Sequence, residues 1–228
     1  MVKGKRKPLE EIKSVIDTFD NILIVGCGGC VSVCLVGGQK ETNALKVDLT
    51  RLYKQKKSIK TYTIERQCNV QFLAEIDEIV SEYDCLLSMA CGAGVQYLAD
   101  RFTQIPVFPA INTVAIGVDR EIGVYEEKCR ACGECVLAYT GGICPVTRCA
   151  KGLFNGPCGG TLNKGMCEVN ICDDVDWSIP CAWYQIYERL KEQNRLDYIL
   201  KIQAPMEWQN QIQRTIVQEP YESRYTLR

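Results

Sequence analysis

This chain contains no histidine and fifteen cysteines in 228 residues. The pairing narrows what it can become. The commonest acid–base side chain near neutral pH and the commonest nitrogen ligand for metals are both missing, so the chemistry falls to sulfur. Nine of the cysteines crowd into one stretch, Cys129-x2-Cys132-x2-Cys135-x8-Cys144-Pro145-x3-Cys149-x8-Cys158-x8-Cys167-x4-Cys172-x8-Cys181. A C-x2-C-x2-C run with a Cys-Pro beyond it is how a backbone wraps thiolates around an iron–sulfur cluster. A disulfide framework is the competing explanation, but it belongs mainly to short exported chains. The charged N-terminus, Met1 to Glu11, lacks the apolar stretch of a signal peptide. The odd cysteine count and the two-residue spacers favour metal in a reducing, cytoplasmic setting.

Other classes are disfavoured by composition. The net charge is −1, with no basic stripe for nucleic acid and no apolar run long enough for membrane insertion.

The first half reads as alternating strands and helices. Asn21 to Gly26 is an apolar run ending in glycine, the pattern of a buried parallel strand. Leu45 to Lys57 carries Leu45, Leu49, Leu52 and Tyr53 at helical spacing. Ile59 to Ile64 alternates as a strand. Val70 to Tyr83 places Phe72, Ile76, Ile79 and Val80 on one helical face. Cys85 to Ala90 is a third strand, Val95 to Phe102 a helix, and Pro106 to Ile111 the start of a fourth strand. This order predicts an α/β fold whose N-terminal part, residues 1–124, is an open, mostly parallel sheet with flanking helices. Residues 125–182 read as an irregular Cys/Gly-rich metal-cluster segment that needs staples to fold. Residues 183–228 read as a helix, with Trp183, Tyr187 and Leu190 on one face, followed by a polar tail from about Ala204 that either lies on a partner or stays disordered.

The predicted sheet gives the upstream cysteines a meeting place. Strand one runs into Cys27, Cys30 and Cys34, strand two into Cys68, and strand three into Cys91. The C-terminal ends of parallel strands share one edge, where ligands normally sit. Glycines there let backbone amides approach bound sulfide, and a soft-metal or cluster site is the natural occupant. Five candidates exceed the four that a cluster needs, and spacing does not single out the spare. A phosphate loop is the alternative for Gly26 to Cys30, but the G-x-G-x-x-G pattern and the P-loop lysine are absent. Cys85 lies inside an apolar strand and reads as core.

In the dense segment, setting aside Cys172 in its acidic run leaves Cys129, Cys132, Cys135, Cys144, Cys149, Cys158, Cys167 and Cys181. Eight thiolates suit two [4Fe-4S] clusters, or one cluster and one all-cysteine zinc site. A purely structural metal role is the counterweight, because metal binding is also folding free energy. Arg130, Arg148 and Lys151 lie among these thiolates, either offsetting their charge, meeting a partner's cofactor, or serving as ordinary surface charge.

The motifs VGCGGCVSVC (Val25 to Cys34), ERQC (Glu65 to Cys68), ACGAGVQ around Cys91, CRACGECVL (Cys129 to Leu137), TGGICPVTRCAKGLFNGPCGG (Thr140 to Gly160), GMCE around Cys167 and CAWYQIYERL (Cys181 to Leu190) resemble the methylenetetrahydrofolate reductase C-terminal domain family. These are the MetV-type iron–sulfur small subunits. The resemblance covers nearly the whole chain, and neither Cys85 nor Cys172 belongs to the family pattern. It implies two or three [4Fe-4S] clusters, with zinc in place of one as the variant, and no catalytic residues of the chain's own. It also implies a partner: a flavin-containing (FAD or FMN) catalytic barrel that reduces 5,10-methylenetetrahydrofolate to 5-methyltetrahydrofolate. Ferredoxin or another iron–sulfur or flavin module would supply the electrons. Two alternatives stand beside this expectation, a metal-stabilised assembly subunit of the same complex and a stand-alone redox sensor or metal carrier.

Overall fold

The computed structural model describes residues 1–162, 165–169 and 179–207 and the single positions 216, 218 and 220. Cys172, its acidic neighbours and most of the polar tail therefore lie outside the described residues. The chain divides into two compact units, Met1–Glu127 and Lys128–Arg228.

The first unit is built on a four-stranded parallel sheet of β2 (Asn21–Cys27), β3 (Ser58–Ile64), β4 (Cys85–Ser88) and β5 (Val107–Pro109), in the order β3-β2-β4-β5. Alternate side chains of a strand point to opposite faces, and β2 uses both faces for core. Ile22 and Ile24 join Ile12 and Ile16 of α1 (Leu9–Ile16) and Leu45 and Leu49 of α3 (Gln39–Leu52). Leu23 and Val25 join Ile64, Leu73, Ile76, Val80 and Leu98, the last from α5 (Gly92–Arg101). An α/β fold with a parallel sheet and flanking helices is thus observed, as the apolar runs predict.

Several boundaries differ, each for a local reason. Helix α3 begins six residues before Leu45, with Thr42 fully buried and its hydroxyl donating to the Gly38 carbonyl at 2.7 Å. It stops at Leu52, before a reversal in which Lys54 and Gln55 adopt φ of 50° and 62°. The helix expected over Val70 to Tyr83 is a single turn, α4 (Val70–Leu73), followed by 3-10 turns at Ala74–Ile76 and Val80–Glu82. Its apolar residues still pack into the core, because burial needs them on one side and not in one continuous helix. The fourth strand divides at Pro109, whose ring nitrogen cannot extend a ladder. Beyond Ala110 the chain enters β6 (Ile111–Glu121).

Strand β6 belongs to a second, three-stranded sheet, β1-β6-β7, with β1 (Val2–Arg6) antiparallel to it and β7 (Val124–Cys129) completing it. Sequence patterning misses this sheet because lysines and glutamates mask its alternation. Lys3 is 3% exposed: its stem lies in the sheet, its ammonium sits 4.0 Å from the centre of the Tyr125 ring and 3.7 Å from Asp119. Long basic side chains bury their methylenes in this way.

In the second unit, short elements separate loops: α6 (Pro145–Arg148), a two-residue hairpin pair β8 (Thr161–Leu162) and β9 (Met166–Cys167), and α7 (Ala182–Glu192). Helix α7 buries Trp183, Ile186 and Leu190. Tyr187, expected on that face, is instead exposed, since i, i+3 and i+7 from Trp183 set the buried stripe. None of the described helices is long and apolar enough to cross a membrane.

Candidate metal centres

Parallel pairing in register aligns Cys27 with Ile64 and Val25 with Ser88. The segments Glu65–Cys68 and Met89–Cys91 therefore leave the sheet beside Cys27. Cys27 is buried and packs with Cys91, Val31, Ala90 and Ile111. Burial pushes its thiol upward, the backbone amides of Gln67 and Gly29 pull the other way, and the nearby thiols of Cys68 and Cys91 add to the rise. The structure thus brings Cys27, Cys68 and Cys91 together at one edge. Cys68 is exposed and Cys91 half-buried, so the group opens to solvent on one side.

Two further cysteines sit on the loop after β2, at opposite ends of the one-turn helix α2 (Cys30–Val33). Cys30 opens the turn and is exposed. Cys34 closes it, is buried, and donates its thiol to the Val2 carbonyl at 3.2 Å. Cys85 is wholly buried within β4, and burial raises its thiol to about 12.

Sequence reading passed over Gln67, which is fully buried. Its Nε2 donates to the carbonyls of Val25 at 2.8 Å and Gly26 at 3.0 Å, and its Oε1 accepts from Ser88 Oγ at 2.6 Å. Ser88 Oγ in turn accepts from the Ala90 amide at 3.2 Å. The detectable signal was an uncharged polar residue between Arg66 and Cys68 at a strand exit, a pattern too common to stand out. Two glycines make the close packing possible. A Cβ on Gly94 would lie 3.0 Å from Gln67 Cβ, and one on Gly37 would collide with the Met89 carbonyl.

In the second unit the Cys129–Cys135 loop is curled by positive φ at Ala131 (52°) and Gly133 (91°). The Ala131 amide donates to Cys129 Sγ at 3.3 Å and Cys132 Sγ donates to the Glu134 carbonyl at 3.5 Å. Cys144 precedes α6 and opens on a cavity of about 480 Å³, whose walls include Arg148, Tyr184, Glu188 and Arg189.

A second gathering surrounds the β8–β9 hairpin. Thr161 pairs with Cys167, and its hydroxyl lies 3.2 Å from Cys181 Sγ. Cys158 accepts the Gly160 amide at 3.4 Å and the Lys151 ammonium at 3.6 Å, while Lys151 also pairs with Glu168. Cys149 and Cys181 pack on the same apolar cluster of α7. Lys151 is therefore charge set against a thiol.

The described cysteines are all free thiols. Among the described residues no three Cys, Asp or Glu side chains close around a point that would hold a single metal ion. A cubane core is far wider than one ion and holds its cysteine sulfurs correspondingly further apart. A cluster would need four thiolates, and the residues that could supply them at the sheet edge are Cys27, Cys30, Cys34, Cys68 and Cys91.

Residues 108–209 match the family model described as methylene-tetrahydrofolate reductase C terminal. No curated protein and no solved structure matches the chain. The matched stretch takes in every second-unit cysteine and none of the sheet-edge group.

Proposed function

We propose, from the match of residues 108–209 to the methylene-tetrahydrofolate reductase C-terminal family model, that this chain is the iron–sulfur electron-transfer subunit of a reductase complex. The family match carries the reading, since it joins a folate-reducing system to the stretch that holds the C-x2-C-x2-C run. In this reading, clusters bound by the chain pass single electrons, and the flavin of a catalytic barrel partner collects two and delivers hydride to 5,10-methylenetetrahydrofolate.

The chain's own residues divide the work. Cys129, Cys132 and Cys135, with Cys144 from the start of α6, hold one cluster. Cys149, Cys158, Cys167 and Cys181, gathered at the hairpin and α7, hold the second cluster or an all-cysteine zinc ion. Lys151 offsets thiolate charge at Cys158. The sheet edge of the first unit holds a third centre.

A second reading is favoured by one observation. The described core of the second unit is small, centred on Trp183, Ile186 and Leu190, so metal there contributes folding free energy whether or not electrons pass. On that reading the chain is an assembly subunit.

Iron, sulfide and zinc content of protein purified without oxygen, with EPR spectra before and after reduction, separates the two. About eight to twelve irons with matching sulfide and reduced-cluster signals are expected for two or three cubanes. Zinc with little iron overturns the relay and leaves the assembly role.

A further inference from the structure

The sheet edge lies outside the matched stretch, which begins at residue 108, so its ligand set must be argued from its own geometry. Three strand exits arrive there. Each delivers one cysteine: Cys27 at the end of β2, Cys68 four residues past β3, and Cys91 three residues past β4. Cys91 packs against Cys27, and Cys68 follows Gln67, whose side chain is bonded to the Val25 and Gly26 carbonyls of β2. A fourth thiolate must come from Cys30 or Cys34.

The two are not equivalent. Cys30 follows Gly28-Gly29, and a Cβ on Gly29 would stand 3.6 Å from Cys27 Sγ, so the chain passes beside the Cys27 sulfur immediately before Cys30. Cys30, like Cys68, is exposed, whereas Cys34 is buried. Cys34 sits at the far end of α2, where its sulfur is turned to β1, a strand of the other sheet, and is donating a proton to Val2.

One residue touches all three exits. The Gln67 side chain is bonded to the Val25 and Gly26 carbonyls of β2 and, through Ser88, to the chain leading from β4 to Cys91; its own neighbour is Cys68. Its side-chain amide uses both donor hydrogens and an acceptor inside the protein, with no exposure to water. Such a buried, fully bonded network fixes geometry.

We propose that the sheet edge is a four-thiolate cluster centre of Cys27, Cys30, Cys68 and Cys91, that Gln67 is the positioning residue holding it, and that Cys34 stands outside it. This rests on the reading above that the chain binds iron–sulfur clusters. Gln67 contributes by tying the exits of β2 and β4 to the segment that ends in Cys68, and hydrogen bonding and solvent exposure at a cluster are determinants of its reduction potential.

The test uses the full chain, reconstituted with iron and sulfide without oxygen. Cys30→Ala, Cys68→Ala and Cys91→Ala should each lose about four irons relative to wild type and the corresponding EPR signal, while Cys34→Ala keeps both. Loss of iron in Cys34→Ala equal to that in Cys91→Ala, with Cys30→Ala unaffected, overturns the ligand assignment. A wild-type chain that takes up no iron overturns the cluster reading itself, a separate result. Gln67→Ala should keep its iron and show altered g-values and a shifted midpoint potential for this centre, with Ser88→Ala, a milder loosening of the same network, shifted in the same direction by less. If Gln67→Ala folds poorly, Ser88→Ala carries the comparison alone. Iron-loaded variants of lower thermal stability but wild-type spectrum and potential show a merely structural role and overturn the positioning assignment.

Discussion

Burial separates cysteines that sequence spacing treats alike. Cys85 opens β4, an inner strand of the sheet, with no exposure, and its thiol is raised from an ordinary 9.0 to about 12 by desolvation, with Asp84 adding and Lys57 opposing. It stays protonated and inert where exposed thiols react. The linkage sign follows. Below pH 9 the thiol is neutral whether the chain is folded or not, and stability is unaffected. Between pH 9 and about 12 the unfolded chain releases a proton that the folded chain retains, so stability falls by up to about 1.4 kcal/mol per pH unit. Denaturant midpoints measured from pH 8 to 11 should therefore drop for wild type and drop less steeply for Cys85→Ala. At pH 7 the same variant should lose only about 1 kcal/mol and no metal. An equally steep alkaline loss in the variant would assign the effect to other groups, Tyr53 first, since burial raises it to about 12 as well.

At the level of elements, the parallel sheet and two of its flanking helices were legible and the second sheet was not. Strands β2, β3 and β4 announced themselves because both faces of a parallel sheet are covered, which demands short apolar or β-branched runs. Their parallel order also brings the exits that carry Cys27, Cys68 and Cys91 to one sheet edge. Strand β1 hid behind Lys3 and Lys5, since charge masks a strand whose lysine stem is what is buried. The Val70–Tyr83 helix was over-read because one apolar face is shared by a helix and by a series of tight turns. Gln67 was invisible because its importance lies in bonds to residues about twenty and forty positions away. The turn that follows Cys68 offers a direct check. Asn69 Oδ1 accepts the Gln71 amide at 2.9 Å and caps α4, so Asn69→Ala should cost about 1 kcal/mol in chemical denaturation. Gly37→Ala should cost more, since its Cβ meets the backbone carbonyl of Met89 and not a yielding side chain; equal costs for the two would place the loop after α2 away from β4.

Across the whole molecule, the two units stand on different footings. Met1–Glu127 has two apolar layers, one on each face of its parallel sheet, and needs no metal to collapse. Lys128–Arg228 has its described core around one helix, with Trp183 donating its indole N–H to the Leu153 carbonyl at 2.9 Å. Trp183→Ala removes the largest member of that core and should cost about 3–5 kcal/mol, visible as loss of the second unit's cooperative unfolding with the first unit's retained. The same asymmetry governs metal removal. Structural thiolate sites contribute on the order of 10 kcal/mol or more to small domains, as much as a domain's entire net stability. Full-length protein stripped with a chelator under reducing conditions and then treated briefly with protease should be cut throughout the second unit, leaving a resistant fragment that ends near Glu127. Iron and sulfide added back before proteolysis should protect the whole chain. Resistance of the second unit after complete metal removal would mean that its loops are held by packing, and the thiolates would then be free to serve electron transfer alone.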